Sequence, residues 1–281
     1  MGRFHGGLLM RLLIIGCGSI GGILAKAAEE MDGVDRFYLS DKSEERAQAR
    51  SREFGKAKYL PNDDISVLRV LSEVDLVIEA ASQEAAKRFA LMCLERGRDI
   101  MVMSVGAFAD DAFRSQCFDL AKRKGGRLYI PSGAVCGTDG LKSAAAEELN
   151  EVRLISTKGP SSLADVQYLK EKGIDVFSLK SKTVVFEGKA RDAVKHFPKN
   201  INVAATVSLT GLGFERTEVT IICDPSTNAN SHELIVKGKF GEIRAMTDNL
   251  PFPANPATSY LAALSAVAAL KGIAANVWIG A

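Results

Sequence analysis

One stretch near the start, "RLLIIGCGSIGGILAKAAEEM", limits what this chain can fold into more than any other. Arg11 to Ile15 read as a buried strand, and Gly16-x-Gly18-x-x-Gly21 follows at once. Ile20, Ile23, Leu24, Ala27 and Ala28 then recur at helical spacing. Glycines suit a tight strand-to-helix turn, a close backbone approach to a pyrophosphate, and intimate helix–strand packing. The helix N-terminus supplies free N–H groups and a dipole that favours an anion. A second apolar run, "RFYLSD", ends in Asp41, twenty residues beyond Gly21, where a carboxylate can accept from ribose hydroxyls. The set predicts a dinucleotide site with contacts at Gly16, Gly18, Ser19, Ile20, Gly21 and Asp41. Asp41 repels a 2′-phosphate and favours NAD, while Lys42 and Arg46 can accommodate NADP, so the expected cofactor is NAD or NADP. As a structural turn residue, Asp41 would do none of this.

Strand-like and helix-like runs keep alternating through "VDLVIEAAS", "EAAKRFALMCLERG", "DIMVMSVGAF", "DDAFRSQCFDLAKRKGG" and "RLYIPSGAV". That spacing predicts a doubly wound parallel sheet, the Rossmann architecture of the α/β class, over residues 10–135. Ligands lie at the C-terminal ends of such strands, which places Ala80, Ala81 and Ser82, the loop at Ser104, and Ser132, Gly133 and Ala134 toward the cofactor. After about residue 138 the pattern changes to "VRLISTKG", "SKTVVFEGKA", "AATVSLTG", "EVTIICDP" and "HELIVKGKFGEIRAMTDN". These read as antiparallel strands, interrupted by a helix in "ARDAVKHFPKNINVAATVSL", and predict an α+β domain over 136–255. A final helix over about 256–272, with Tyr260, Leu261, Leu264, Val267 and Leu270 as its apolar stripe, is expected to pack back on the first domain.

Charge and cysteine content exclude several classes. A net charge of +2 gives no basis for nucleic acid or a membrane surface as partner. Five scattered cysteines without a C-x-x-C pair argue against a disulfide framework or a zinc site, and for a reducing compartment. The apolar run in "MGRFHGGLLMRLLIIG" passes straight into the glycine turn and reads as a first strand rather than a signal peptide. A cytoplasmic location without bound metal is the expectation.

Several stretches resemble the L-aspartate dehydrogenases of archaea and bacteria: "GCGSIGG", "EAASQEAAKRFA", "YIPSGAVCGTDGL", "HFPKNINVAATVSL", "HELIVKGKFGEI" and "NPATSYLAALS". The resemblance implies a homodimer with a Rossmann domain and a catalytic, dimerising domain similar to that of dihydrodipicolinate reductase. It implies oxidation of L-aspartate to iminoaspartate, which serves NAD biosynthesis or hydrolyses to oxaloacetate and ammonia. Residue by residue, Ala134 and Asn202 match cofactor-contacting positions and His232 matches the catalytic histidine. "TKGPSSL" departs from the lysine- and arginine-rich pattern expected there, so the resemblance itself carries no substrate contacts onto that stretch.

Read from the residues alone, His232 is either an acid/base or a histidine at a strand edge. His196, beside Pro198, is the rival base or a helix-end decoration. A dicarboxylate needs cations or N–H donors, and Lys158, Lys182, Lys199 and the backbone at Ser132 and Gly133 are candidates. Cys136, directly after a Rossmann strand, would serve an acylating semialdehyde-type dehydrogenase as a thiolate, or pack as a small hydrophobe. A cyclic-imine reductase and a non-catalytic NAD-binding redox sensor are further readings.

Overall fold

The computed structural model describes residues 9–198, 201–252, 255–277 and 279–280. The chain divides into two compact units: residues through Pro131 together with Ala263 onward, and Ser132–Ala262 with the last residues from Ile279. The division therefore falls at Pro131 and inside the last helix.

In the first unit, β1 (Met10–Ile15), α1 (Ser19–Glu30), β2 (Val34–Ser40), α2 (Glu44–Ser51), β3 (Ala57–Tyr59), α3 (Asp64–Val70), β4 (Leu76–Glu79), α4 (Gln83–Leu94), β5 (Asp99–Val102), α5 (Asp111–Lys124) and β6 (Leu128–Tyr129) follow in order. The six strands pair in parallel in the order β3-β2-β1-β4-β5-β6. Chain order reverses between β1 and β4, which opens a crevice at their C-terminal ends. This is the Rossmann arrangement. Strands buried on both faces must be apolar throughout, and Leu12, Leu13 and Ile14 of β1 are fully buried. Residues 42–73, for which the sequence reading assigns no elements, carry α2, β3 and α3.

The second unit runs α6 (Thr138–Ala144), β7 (Leu149–Lys158), α7 (Pro160–Leu163), α8 (Gln167–Glu171), β8 (Thr183–Lys189), α9 (Ala190–His196), α10 (Asn202–Thr210), β9 (Glu218–Cys223), β10 (Asn230–Gly238), β11 (Gly241–Asn249), β12 (Pro251–Phe252) and β13 (Asn255–Ser259) into α11 (Tyr260–Ala274). Five strands form a sheet ordered β11-β10-β7-β9-β8. It is mixed rather than purely antiparallel, because the chain crosses over through β8, α9 and α10 and returns in β9 parallel to β7. "AATVSLTG" is the body of α10 and not a strand. Val203 to Ser208 are all buried there, so the run lacks the polar face that marks a helix in sequence.

The last helix also departs from expectation. "NPATS" pairs with β12 as a strand, so the helix starts only at Tyr260. Its buried stripe is Ala263, Ala266 and Leu270, whereas Tyr260 and Leu264 are exposed. Ala266 and Leu270 join the apolar core that surrounds β1 and β2. Among the described residues, no helix is long and apolar enough to cross a membrane.

Candidate active site

In the first unit the glycines divide the labour. Gly16 has φ +101°, and a Cβ there would lie 2.5 Å from the Ala80 carbonyl oxygen. At Gly21 a Cβ would lie 1.8 Å from the oxygen of Gly16, so only glycine lets α1 press onto the strand end. Gly18 borders open space and occupies the N-cap of α1, where no side chain caps the helix. By contrast Ser43, Asp63, Ser82 and Asp110 cap α2, α3, α4 and α5. The uncapped first turn of α1 is thus left for an anion from outside the chain.

This end of the sheet holds a cavity of about 390 Å³, lined in part by Gly16, Gly18, Asp41, Ala80, Ala81 and Ser82. Ser19, Ile20 and Gly21 do not line it; Ile20 packs on the core and Gly21 is buried. The Asp41 carboxylate accepts from the N–H of Cys17 (2.7 Å) and of Ser43 (2.8 Å), which fixes it at the rim of the glycine turn. Lys42, Arg46 and Arg88 also line the cavity, with Arg46 3.5 Å from Asp41 and Lys42 2.9 Å from Glu84. A bare helix N-terminus, a carboxylate for hydroxyls and a cationic rim suit NAD or NADP.

Sequence reasoning passed over Glu79, the last residue of β4. It is fully buried, and its carboxylate accepts from the N–H groups of Ala81 (2.7 Å), Ser82 (2.9 Å) and Ser104 (3.0 Å) and from the Ser104 hydroxyl (2.8 Å). Burial pushes its pKa up, and these four bonds oppose the shift. Glu79 thereby ties the loop after β4 to the loop after β5.

In the second unit the face of the sheet that carries Val152 and Leu154 on β7, and Leu234 and Val236 on β10, turns polar toward one end. Antiparallel register sets Ser156 opposite His232 and Lys158 opposite Asn230, while β11 adds Thr247 beside His232 and Asn249 beside Asn230. His232 is 2% exposed, and its Nδ1 lies 2.9 Å from the Ser156 hydroxyl. Nε2 makes no hydrogen bond to the described residues, so one ring nitrogen is fixed and the other is available. Burial, and then the nearby Lys158 ammonium, push the His232 pKa down to about 3. The imidazole is therefore neutral at pH 7. Lys158 is 3% exposed, and its ammonium donates only a long bond, 3.4 Å, to the Asn230 side-chain oxygen.

Ala134 is buried beside this layer. Its carbonyl accepts from the Thr247 hydroxyl (3.0 Å) and the Asn249 amide (2.9 Å). Ser132 and Gly133 lead into it, both half-buried. Asn202 opens α10 as its first helical residue, half-buried, rather than capping it. Lys199 and His5 lie outside the described residues. Lys182 is exposed. His196 stacks on Tyr168 with ring centroids 4.3 Å apart, within an aromatic cluster that includes Phe186 and Phe197. Cys136 is exposed and directs its thiol at the Met246 carbonyl 3.5 Å away, with no histidine among the described residues hydrogen-bonded to it.

The comparisons agree with this two-part construction. A family model described as "Aspartate dehydrogenase, C-terminal" matches residues 139–273, and one described as "Homoserine dehydrogenase, NAD binding domain" matches residues 16–131. The chain is 46% identical to the L-aspartate dehydrogenase of Methanosarcina acetivorans, covering 97% of this chain and 100% of that one. It is 44% identical to the Methanosarcina barkeri L-aspartate dehydrogenase over the same shares. The crystal structure of aspartate dehydrogenase from Thermotoga maritima superposes with a TM-score of 0.74 at 32% identity, covering 96% of this chain and 99% of that one. With identity of this order along essentially its whole length, the chain belongs to the L-aspartate dehydrogenase family.

Proposed function

We propose that this protein oxidises L-aspartate to iminoaspartate with NAD or NADP, and that His232 carries the proton transfers. The observation that carries the assignment is the buried, neutral His232, with Nδ1 held by Ser156 and Nε2 free. Bound NAD(P) supplies the acceptor for the hydride that leaves Cα. The chain's own task is acid–base work. A substrate ammonium must lose a proton before Cα can be oxidised, and a neutral Nε2 can take it. When ammonia is released, the same nitrogen, once it has passed that first proton on to solvent, can deprotonate the water that attacks the imine. The Ser156 contact orients the ring, so the proton acceptor points the same way through each turnover.

Within this reading Gly16, Gly18, Asp41 and the Ala80–Ser82 loop hold the cofactor in the first unit. Ser19, Ile20 and Gly21 shape the turn behind it. Ala134 and Asn202 are assigned as cofactor contacts of the second unit on the family resemblance, and Ser132 and Gly133 as backbone donors. The product serves NAD biosynthesis, and five unpaired thiols suit a cytoplasmic enzyme. A homodimer is supported by the second sheet's other face. There Val184 and Met246 are exposed among the ion pairs Arg153–Glu218 and Lys237–Glu151, a mixture typical of a subunit contact.

The acylating alternative needs a thiolate with a basic partner, and the exposed Cys136 against a carbonyl does not favour it. The direct test mixes protein, oxaloacetate, ammonium and NADH, follows the loss of nicotinamide absorbance, and repeats with NADPH. Formation of aspartate is expected. No aspartate with either cofactor would reject the assignment.

A further inference from the structure

We propose that the ammonium of Lys158 is the anchor for a substrate carboxylate, so that β7 and β10 present an anion-binding group and a proton-transferring group side by side. The identity of that anion as the dehydrogenase's dicarboxylate rests on the reading above; the anion site itself does not.

The first ground is burial without a counter-charge. The lysines that form ion pairs, such as Lys42, Lys87, Lys189 and Lys237, do so with carboxylates near the surface. Lys158 is the reverse case: it is 3% exposed, and no carboxylate among the described residues pairs with it. Burying an unpaired ammonium is costly, and a fold tolerates it where something else supplies the charge. An ammonium has three donors, and a single long bond to a neutral amide leaves it under-satisfied.

Every strand beside it declines to help. β10 sets Asn230 opposite Lys158, and β9 sets the buried Cys223 opposite it on the other side. The next acidic residue, Asp224, turns its carboxylate onto the backbone N–H and hydroxyl of Ser226. Burial accordingly holds the Lys158 pKa down to about 8, still charged at neutral pH.

The second ground is position. Lys158 lies two residues along β7 from Ser156, the partner of His232, and on the same face. Alternate residues on a strand are about 6.6 Å apart, a separation suited to a short organic acid whose reacting carbon sits at one group and whose carboxylate sits at the other. A lysine acting instead as the proton carrier would duplicate the free Nε2 of His232.

The test uses Lys158→Met, which keeps the stem and removes the charge, and Lys158→Arg, which keeps a charge that cannot be lost. Lys158→Met is expected to raise KM for oxaloacetate about a hundredfold, with a smaller change in kcat, an unchanged NADH affinity and no loss in Tm. Lys158→Arg is expected to recover part of the KM. An unchanged KM in Lys158→Met, or a joint fall of Tm and NADH affinity, overturns the proposal, because it would make the lysine idle or structural. Succinate, titrated by calorimetry into the NADH complex, reads the anion site without turnover. Binding to the wild type that is lost in Lys158→Met sustains the site even where aspartate formation fails. Equal binding by both proteins, or none by the wild type, overturns it.

Discussion

The glycine turn after β1 and the polar layer shared by β7, β10 and β11 are assembled on opposite plans. At the turn, Gly16, Gly18 and Gly21 fall within six residues of chain, and Asp41 closes on Cys17 from the end of the neighbouring strand. In the polar layer, Ser156 and His232 are 76 residues apart in sequence and meet only because register pairs them. The turn is backbone chemistry, so it tolerates few residue types and leaves a motif. The layer is side-chain chemistry on a sheet, where any alternating strand could carry it and no spacing announces it.

The comparison can be broken first at the turn. Gly21→Val puts side-chain atoms where even a Cβ would lie 1.8 Å from the Gly16 oxygen. A stability loss of about 3 kcal/mol or more is expected, with loss of NADH binding, read by thermal melts and fluorescence titration. Near-normal binding would mean that the close approach is not needed.

Glu79→Gln is the middle case. An amide nitrogen in place of the oxygen that accepts from Ser104 N–H leaves two donors facing each other, a cost of about 1–3 kcal/mol. Melting temperature and NADH affinity should fall together while KM for oxaloacetate at saturating NADH holds. If neither the melting temperature nor the affinity moves, Glu79 does not tie the two loops together.

The mildest test is pH. With Lys158 at about 8, kcat/KM should fall about tenfold per pH unit above that value as the anchoring charge is lost. His232, at about 3, leaves no acid limb near the ordinary histidine range in the free enzyme. The unfolded chain holds the Lys158 proton up to about 10.5 and the folded chain releases it near 8, so between those values the unfolded state binds more protons. Stability contributed by this group therefore rises with pH across that window, and Lys158→Met should remove the rise. A flat alkaline profile in the wild type would place the lysine outside the substrate's reach.

The same contrast explains what was legible. The parallel sheet, the glycine turn and Asp41 could be read because periodicity and local spacing encode them. Glu79 could not, since "VIEAAS" looks like any strand end and its role depends on Ser104 25 residues away. His232 came from the family resemblance, and nothing in its own surroundings placed it above His196 until the structure put the latter on Tyr168. Lys158 is one of three candidate lysines that sequence could not rank; what sets it apart is burial at the end of β7, which sequence does not record. "AATVSLTG" and the stripe of α11 were misjudged for a related reason. A helix buried nearly all round loses its polar face, and one that packs through alanines hides its contact face among small residues.

The central claim is that cofactor binding belongs to the turn and proton transfer to the layer. His232→Ala tests it most directly, by measuring turnover with oxaloacetate and ammonium alongside NADH affinity on the same preparation. The account predicts a fall in kcat/KM of about 10²–10⁴-fold with NADH affinity unchanged. Turnover retained in that variant would contradict it.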